Sequence, residues 1–171
     1  MANGRKFRTA NLKDDCTREC PAIEVDFSLP GERVAEMLNR VARERGYPDI
    51  LVVDTEPELR GRALDAWADD NGVQLYFIDP GKPNQNAYIE CFNGRFRDEC
   101  LNQHWFTSIT EAREIIENWR IDYNTERPHS SLKYKTPEEF AAARPFDKTQ
   151  WAQTLELSEG SAPAPIAHAA E

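Results

Sequence analysis

Ile50–Leu51–Val52–Val53 is an unbroken apolar run that stops at Asp54. A run this short, with no polar alternation, reads as a strand covered on both faces. Such a strand needs helices above and below it, and the flanking sequence supplies candidates. Upstream, Val34, Met37, Leu38 and Val41 recur at helical spacing behind Ser28–Leu29–Pro30, where a first-turn proline is tolerated, and Gly46 stops the helix. Downstream, Leu64, Trp67 and Ala68 mark a helix over Arg62–Asp70 that ends before Gly72, and Val73–Ile78 reads as the next strand. Two earlier strands are expected. Ala22–Phe27 alternates, with Ile23, Val25 and Phe27 on one side and Glu24 and Asp26 on the other, whereas Phe7–Lys13 alternates weakly through Phe7 and Leu12. The fold class that follows is α/β, a mixed sheet with flanking helices.

From Asn84 the chain reads as helical. Ile89, Phe92, Phe96 and Cys100 make one stripe. Ser108–Ile109–Thr110–Glu111 has the form of a capping box, followed by Ala112, Ile115, Ile116, Trp119 and Tyr123 at helical spacing. Pro137 opens one more short helix. After about Pro145 the composition changes, and Ser158–Glu171 is rich in Ala, Pro, Ser and Glu. The expectation is one domain over residues 1–145 and a disordered tail over residues 146–171.

Charge and composition remove several classes. The net charge of −9 argues against a generic nucleic-acid binder, which is ordinarily basic. No apolar run is long enough to span a bilayer, and Met1–Arg8 does not read as a signal peptide, so a cytoplasmic setting without membrane partners is expected. Cys16 and Cys20 have a zinc-like separation with no matching second pair, so reduced thiols are the expectation for all four cysteines.

Two carboxylates could carry chemistry. Asp54 ends a buried strand, and ligand sites in open α/β sheets collect at the carboxyl ends of strands. Glu90 stands in the first turns of a helix after the Gly/Pro/Asn loop at residues 81–86. Mg²⁺ takes one or two carboxylates together with water and phosphate oxygens, and such ions serve phosphodiester chemistry. Simpler roles stay open: Glu90 suits the positive end of a helix dipole, and Asp54 suits a turn.

"GKPNQNAYIECFNGRFRDECLNQHWF" and "WRIDYNTERPHSSLKYKTPEEF" together resemble the catalytic core of bacterial insertion-sequence transposases of the acidic-triad (DDE, OrfB) type, in the retroviral-integrase-like superfamily. The similarity runs from about Lys6 to Ala142. It implies a ribonuclease H-like sheet and divalent-metal-dependent cleavage and strand transfer on DNA, with Mg²⁺ or Mn²⁺ as cofactor. In that family the second catalytic Asp follows a strand and the Glu lies on a helix after thirty-five intervening residues. Asp54 and Glu90 have that separation and inherit the catalytic and metal-binding roles. Arg97, seven residues after Glu90, matches the family's basic position, and Asn93 shares its helical face. Arg95, Lys82, Arg127, His129 and Lys133 complete the expected DNA-binding set. The partners implied are DNA at element ends and target, further copies of the chain and a companion DNA-binding subunit, in a bacterial, nucleoid-associated setting.

Two departures from the family pattern qualify this. The family's first strand, with its Asp, would precede Met1, so the expectation is a sheet lacking the first strand. The alternative function is then a catalytically inactive remnant that at most binds DNA or transposase subunits. Second, Asp54-Thr55-Glu56-Pro57-Glu58-Leu59 replaces the family's Asp-Asn-Gly-Pro-Glu-Phe, which alters the turn and adds negative charge beside the site.

Overall fold

The computed structural model describes residues 1, 4–54, 56, 59–78, 87–143 and 152–160. Five strands form one mixed sheet: β1 (Phe7–Asp14), β2 (Ala22–Asp26), β3 (Ile50–Val53), β4 (Gln74–Phe77) and β5 (Ala152–Gly160). Their order is β2-β1-β5-β3-β4, so the strand latest in sequence is the middle one in space. It runs antiparallel to β1 and parallel to β3, and β3 pairs parallel with β4.

Ala152–Gly160 is a strand where a disordered tail was expected, and in a sheet expected to lack its first strand it takes the place between β1 and β3. The physical reason is the alternation of this strand. Leu155 and Leu157 turn to one face and join a core with Leu12, Leu51 and Val53. Thr154 and Ser158 turn to the other, where the Thr154 hydroxyl donates to Asp15 and the Ser158 hydroxyl pairs with that of Thr9. Gly160 is required as well: a Cβ there would stand 2.2 Å from the Phe7 ring. Residues 161–171 lie outside the described residues.

Helices cover both faces. On the first, α1 (Gly31–Arg45) and α2 (Arg62–Asn71) lay Val34, Met37, Leu38, Leu64 and Trp67 on the sheet leucines and valines. Pro30 is the residue before α1 rather than its first-turn residue. Gly72 ends α2 at φ 67°, the left-handed conformation that favours glycine. On the second face lie α3 (Ala87–Phe96), its π-helical continuation Arg97–Leu101, and α4 (Ile109–Thr125). Phe92, Phe96, Trp119 and Tyr123 stack there into one aromatic cluster with Phe7 and Phe106 near it. Ser108 caps α4 by accepting from Glu111 N, while the Glu111 carboxylate accepts from the Thr107 backbone N–H and hydroxyl. The short α5 (Pro137–Ala142) carries a complete Thr136–Glu139 capping box.

Candidate active site

Asp54 follows β3 directly, and its backbone N–H donates to Leu155 O at 3.2 Å, carrying the β3–β5 ladder one residue past the strand. Val53 and Leu155 are register partners in the α1/α2 core. The next residue on each strand, Asp54 and Glu156, therefore turns to the opposite face, side by side on neighbouring strands ~4.8 Å apart. That is the face α3 crosses. Glu90 lies on α3, exposed, one turn ahead of Asn93.

Asn93 departs from expectation. It was expected to contact DNA with Arg97, whose helical face it shares, yet Asn93 is only 6% exposed. Its Oδ1 accepts from Asn11 Nδ2 at 2.8 Å, because this face of α3 rests on the polar strip of β1 and β5. Asn93 thus holds α3 to the sheet beside the carboxylates instead of reaching toward a phosphate. Asn11 is the register partner of Glu156, so these side chains meet over the centre of the sheet.

Sequence reasoning missed Glu156. Burial first, then the charges of Asp54 and Glu90, push its carboxyl up to about 7, while Arg97 and the Asn93 amide pull the other way. Three acids therefore feel one another at this point. Glu156 Oε2, Asn93 Nδ2 and Asn11 Oδ1 are buried without a well-aligned hydrogen-bond partner among the described residues. Orphaned atoms of this kind carry a desolvation cost of ~1–3 kcal/mol each, which a ligand can relieve.

Lys13 and the Asp14–Asp15 pair lie further along β1 and at its end. Lys13 Nζ donates to Tyr123 Oη at 3.1 Å and lies 4.8 Å from the centre of the Phe92 ring. Burial is the main cause of its fall to about 8. Asp15 accepts from Thr154, and Asp14 Oδ1 takes the backbone N–H groups of Cys16 and Thr17, so this acidic pair shapes the β1–β2 turn.

The expected DNA-binding residues divide. Arg95 and Arg97 are exposed and carry no ion pair among the described residues. Arg127 is committed to Asp122 and Glu99 and stacks over Trp119. His129 bridges to Lys135 through its backbone and packs edge-on against Tyr123; burial is the first cause that brings it down to about 4. It is neutral at pH 7 and offers a phosphate no positive charge. Lys133 is exposed at φ 58°, followed by Tyr134 at φ 61° and 78% exposed. Lys82 lies outside the described residues, as do Thr55, Pro57 and Glu58. Glu56 is held 3.6 Å from Arg8, which offsets part of the extra negative charge.

The donor set is all oxygen, which suits Mg²⁺ or Mn²⁺. Among the described residues no three His, Cys, Asp or Glu side chains are already gathered around a common point, so binding must draw them together. The exposed Glu90 side chain has the rotamer freedom to take part. No helix among the described residues is long and apolar enough to cross a membrane.

Comparison with known proteins adds the family context. Two models described as integrase core domain match residues 1–83 and 71–137. The "Insertion element IS407 uncharacterized 31.7 kDa protein" of Burkholderia multivorans is 54% identical over 142 residues, 83% of this chain and 51% of that one. The "Insertion element IS476 uncharacterized 39.2 kDa protein" of Xanthomonas euvesicatoria is 48% identical over 142 residues, 83% and 41% of the two chains. The "Transposase for insertion sequence element IS904" of Lactococcus lactis is 37% identical over 60% of this chain and 42% of its own. The chain thus spans about half the length, or less, of these curated relatives. Among solved structures, a chain from the simian T-cell lymphotropic virus intasome in complex with PP2A regulatory subunit B56 gamma superposes with a TM-score of 0.66. At 12% identity, over 84% of this chain and 52% of that one, the likeness is one of fold, ribonuclease H-like.

Proposed function

The chain belongs to the integrase core family represented in bacterial insertion-element transposases, and from that premise we propose that it serves divalent-metal-dependent cleavage and strand transfer of DNA, with Asp54 and Glu90 as its catalytic, metal-binding acids. The observation that supports this reading is electrostatic: Asp54 and Glu90 come from different elements, yet the charges of both raise the carboxyl of Glu156.

Mg²⁺ or Mn²⁺ held by Asp54 and Glu90 would polarise a phosphodiester and stabilise charge on the attacking and leaving oxygens. The protein's own part is placement. β3, paired on both sides and buried through Leu51 and Val53, fixes Asp54 at its carboxyl end, and the Asn11–Asn93 bond fixes the α3 face that carries Glu90. Arg97 and Arg95, exposed further along α3 and its continuation, face solvent where a phosphate backbone can lie. In the reaction a water or 3′-hydroxyl oxygen bonds to phosphorus, the bond to the leaving 3′-oxygen breaks, and that oxygen takes up a proton. DNA, further copies of the chain and a companion subunit are the partners this reading implies, in a bacterial cytoplasm.

The experiment is nicking and strand transfer by the full chain on labelled duplex DNA in MgCl₂ or MnCl₂, with Glu90→Gln and Asp54→Asn alongside. Each substitution should reduce the rate at least a hundredfold. Activity that survives either one refutes the assignment. The ungathered carboxylates favour a second reading, an inactive chain that binds DNA without cutting it. DNA retention without turnover, in either metal, would decide for that reading.

A further inference from the structure

The centre of the sheet holds an acid that the function just proposed does not use. Glu156 lies on β5, and β5 reaches its place between β1 and β3 from the far end of the described sequence. Its neighbours are fixed by register: Asn11 across the β1 pairing, and Asp54 beside it through the Asp54 N–Leu155 O bond. Above it stands α3, with Asn93 against it and Glu90 one turn away.

An acid placed here by folding alone would ordinarily be paired or replaced by an apolar residue. Glu156 is not apolar and has no ion pair among the described residues; the Asn93 amide is its hydrogen-bonding neighbour, and its Oε2 is buried without an aligned partner among the described residues. Asn93, more than nine-tenths buried, turns Nδ2 toward this spot with no well-aligned acceptor, and Asn11 Oδ1 beside them is also unmatched. Unmatched buried polar atoms with two more carboxylates nearby are a donor set that a cation and its water would satisfy.

Resting on the metal-binding role of Asp54 and Glu90, we propose that Glu156 is the third carboxylate of that site, so that β5 supplies a ligand as well as a strand. Glu156 then contributes an inner oxygen from the sheet floor, Asp54 one from the strand edge, and Glu90 swings in from α3. Asn93 is the positioning residue. Its amide orients the Glu156 carboxylate and, through Asn11, couples β1 to the same point. A cation resolves the mutual repulsion of the three acids and gives the unmatched amide atoms ordered water to bond.

The test is Mn²⁺ binding by the full chain, read by calorimetry and by loss of the free Mn²⁺ electron paramagnetic resonance signal, with thermal melting in chelator as a check on folding. Glu156→Gln should weaken Mn²⁺ binding at least tenfold while melting at or above the wild-type temperature in chelator, because a repelling charge is gone. Glu156→Asp, which keeps the charge on a shorter arm, should fall between the two. Glu159→Gln, exposed on the same strand and paired with Lys6, should bind as wild type. Wild-type affinity in both Glu156→Gln and Glu156→Asp overturns the proposal; if Asp54→Asn and Glu90→Gln lose binding in that same series, the two-acid reading survives without it. An equal loss in Glu159→Gln would mean that β5 matters only as a strand, which also overturns it. Absence of Mn²⁺ binding by the wild-type chain overturns both readings together.

Discussion

Leu155→Ala is the most direct probe of the central strand. Leu155 is 0% exposed and packs among Leu12, Leu51 and Val53, held by ladders to β1 on one side and β3 on the other. Truncation removes three buried carbons. The loss contains the transfer free energy of those carbons and a cavity contribution, together ~2–5 kcal/mol across buried leucines. Here the lining residues are strand residues fixed by hydrogen bonds on both edges, so the cavity has little room to collapse. About 3–4 kcal/mol is expected, a large share of the ~5–15 kcal/mol that keeps a domain folded. At ~2–4 °C per kcal/mol for a chain of this size, the melting temperature should fall by about 6–16 °C. Urea unfolding followed by tryptophan fluorescence and circular dichroism measures this, because Trp67 and Trp119 are both buried. Glu159→Ala, exposed on the same strand, is the control and should stay within ~0.5 kcal/mol of wild type. If Leu155→Ala is as mild as that control, β5 does not occupy the middle of the sheet, and the argument for Glu156 goes with it.

Two further outcomes are expected. Glu19 is almost fully buried and takes two 2.7 Å bonds from Arg45, so Arg45→Ala should destabilise by ~3 kcal/mol, whereas Glu19→Leu with Arg45→Met should recover most of that loss; equilibrium unfolding of the three chains decides it. His129 should show no protonation above about pH 5 in its imidazole nuclear magnetic resonance signals, since burial brings it down to about 4. The unfolded chain takes up this proton first as pH falls through ~6.5, so His129's contribution to stability is complete above that pH and drains away toward pH 4; a His129→Gln chain should lack that segment of the pH–stability curve.

The parts legible in the sequence were those governed by local pattern. The run Ile50–Val53 marked a strand, although only Leu51 and Val53 are buried while Ile50 is exposed and Val52 half-buried, so one face is covered and not both; Ala112, Ile116, Trp119 and Tyr123 announced the inner face of α4, because helical spacing survives whatever lies opposite. Asp54 and Glu90 were legible as candidates through residue type, position at element ends and family spacing. What stayed hidden depended on partners remote in sequence. Ala152–Gly160 holds two leucines among Thr, Glu, Ser and Gly, too little to mark a strand until the slot between β1 and β3 exists to receive it. Its alternation of leucine with Thr154, Glu156 and Ser158 was the available signal. Asn93 was placed on the right helical face, but a helical wheel does not say which face meets the sheet. Arg127 looked like a free cation because Glu99 is twenty-eight positions away and comes near only when the π-helical segment packs on α4.

The position of β5 also governs the order in which the domain can come into being. On the ribosome β1 to β4 emerge before it, with β1 and β3 facing each other across a vacancy. Until Ala152–Gly160 leaves the exit tunnel, both inner strands present open hydrogen-bonding edges, the condition that invites pairing with neighbouring chains. Closure then joins segments more than a hundred residues apart, a distant pairing of the kind that makes folding slow. Nascent-chain maturation therefore waits on nine residues, and a chaperone that shields β1 and β3 in the interval would raise the yield of native protein.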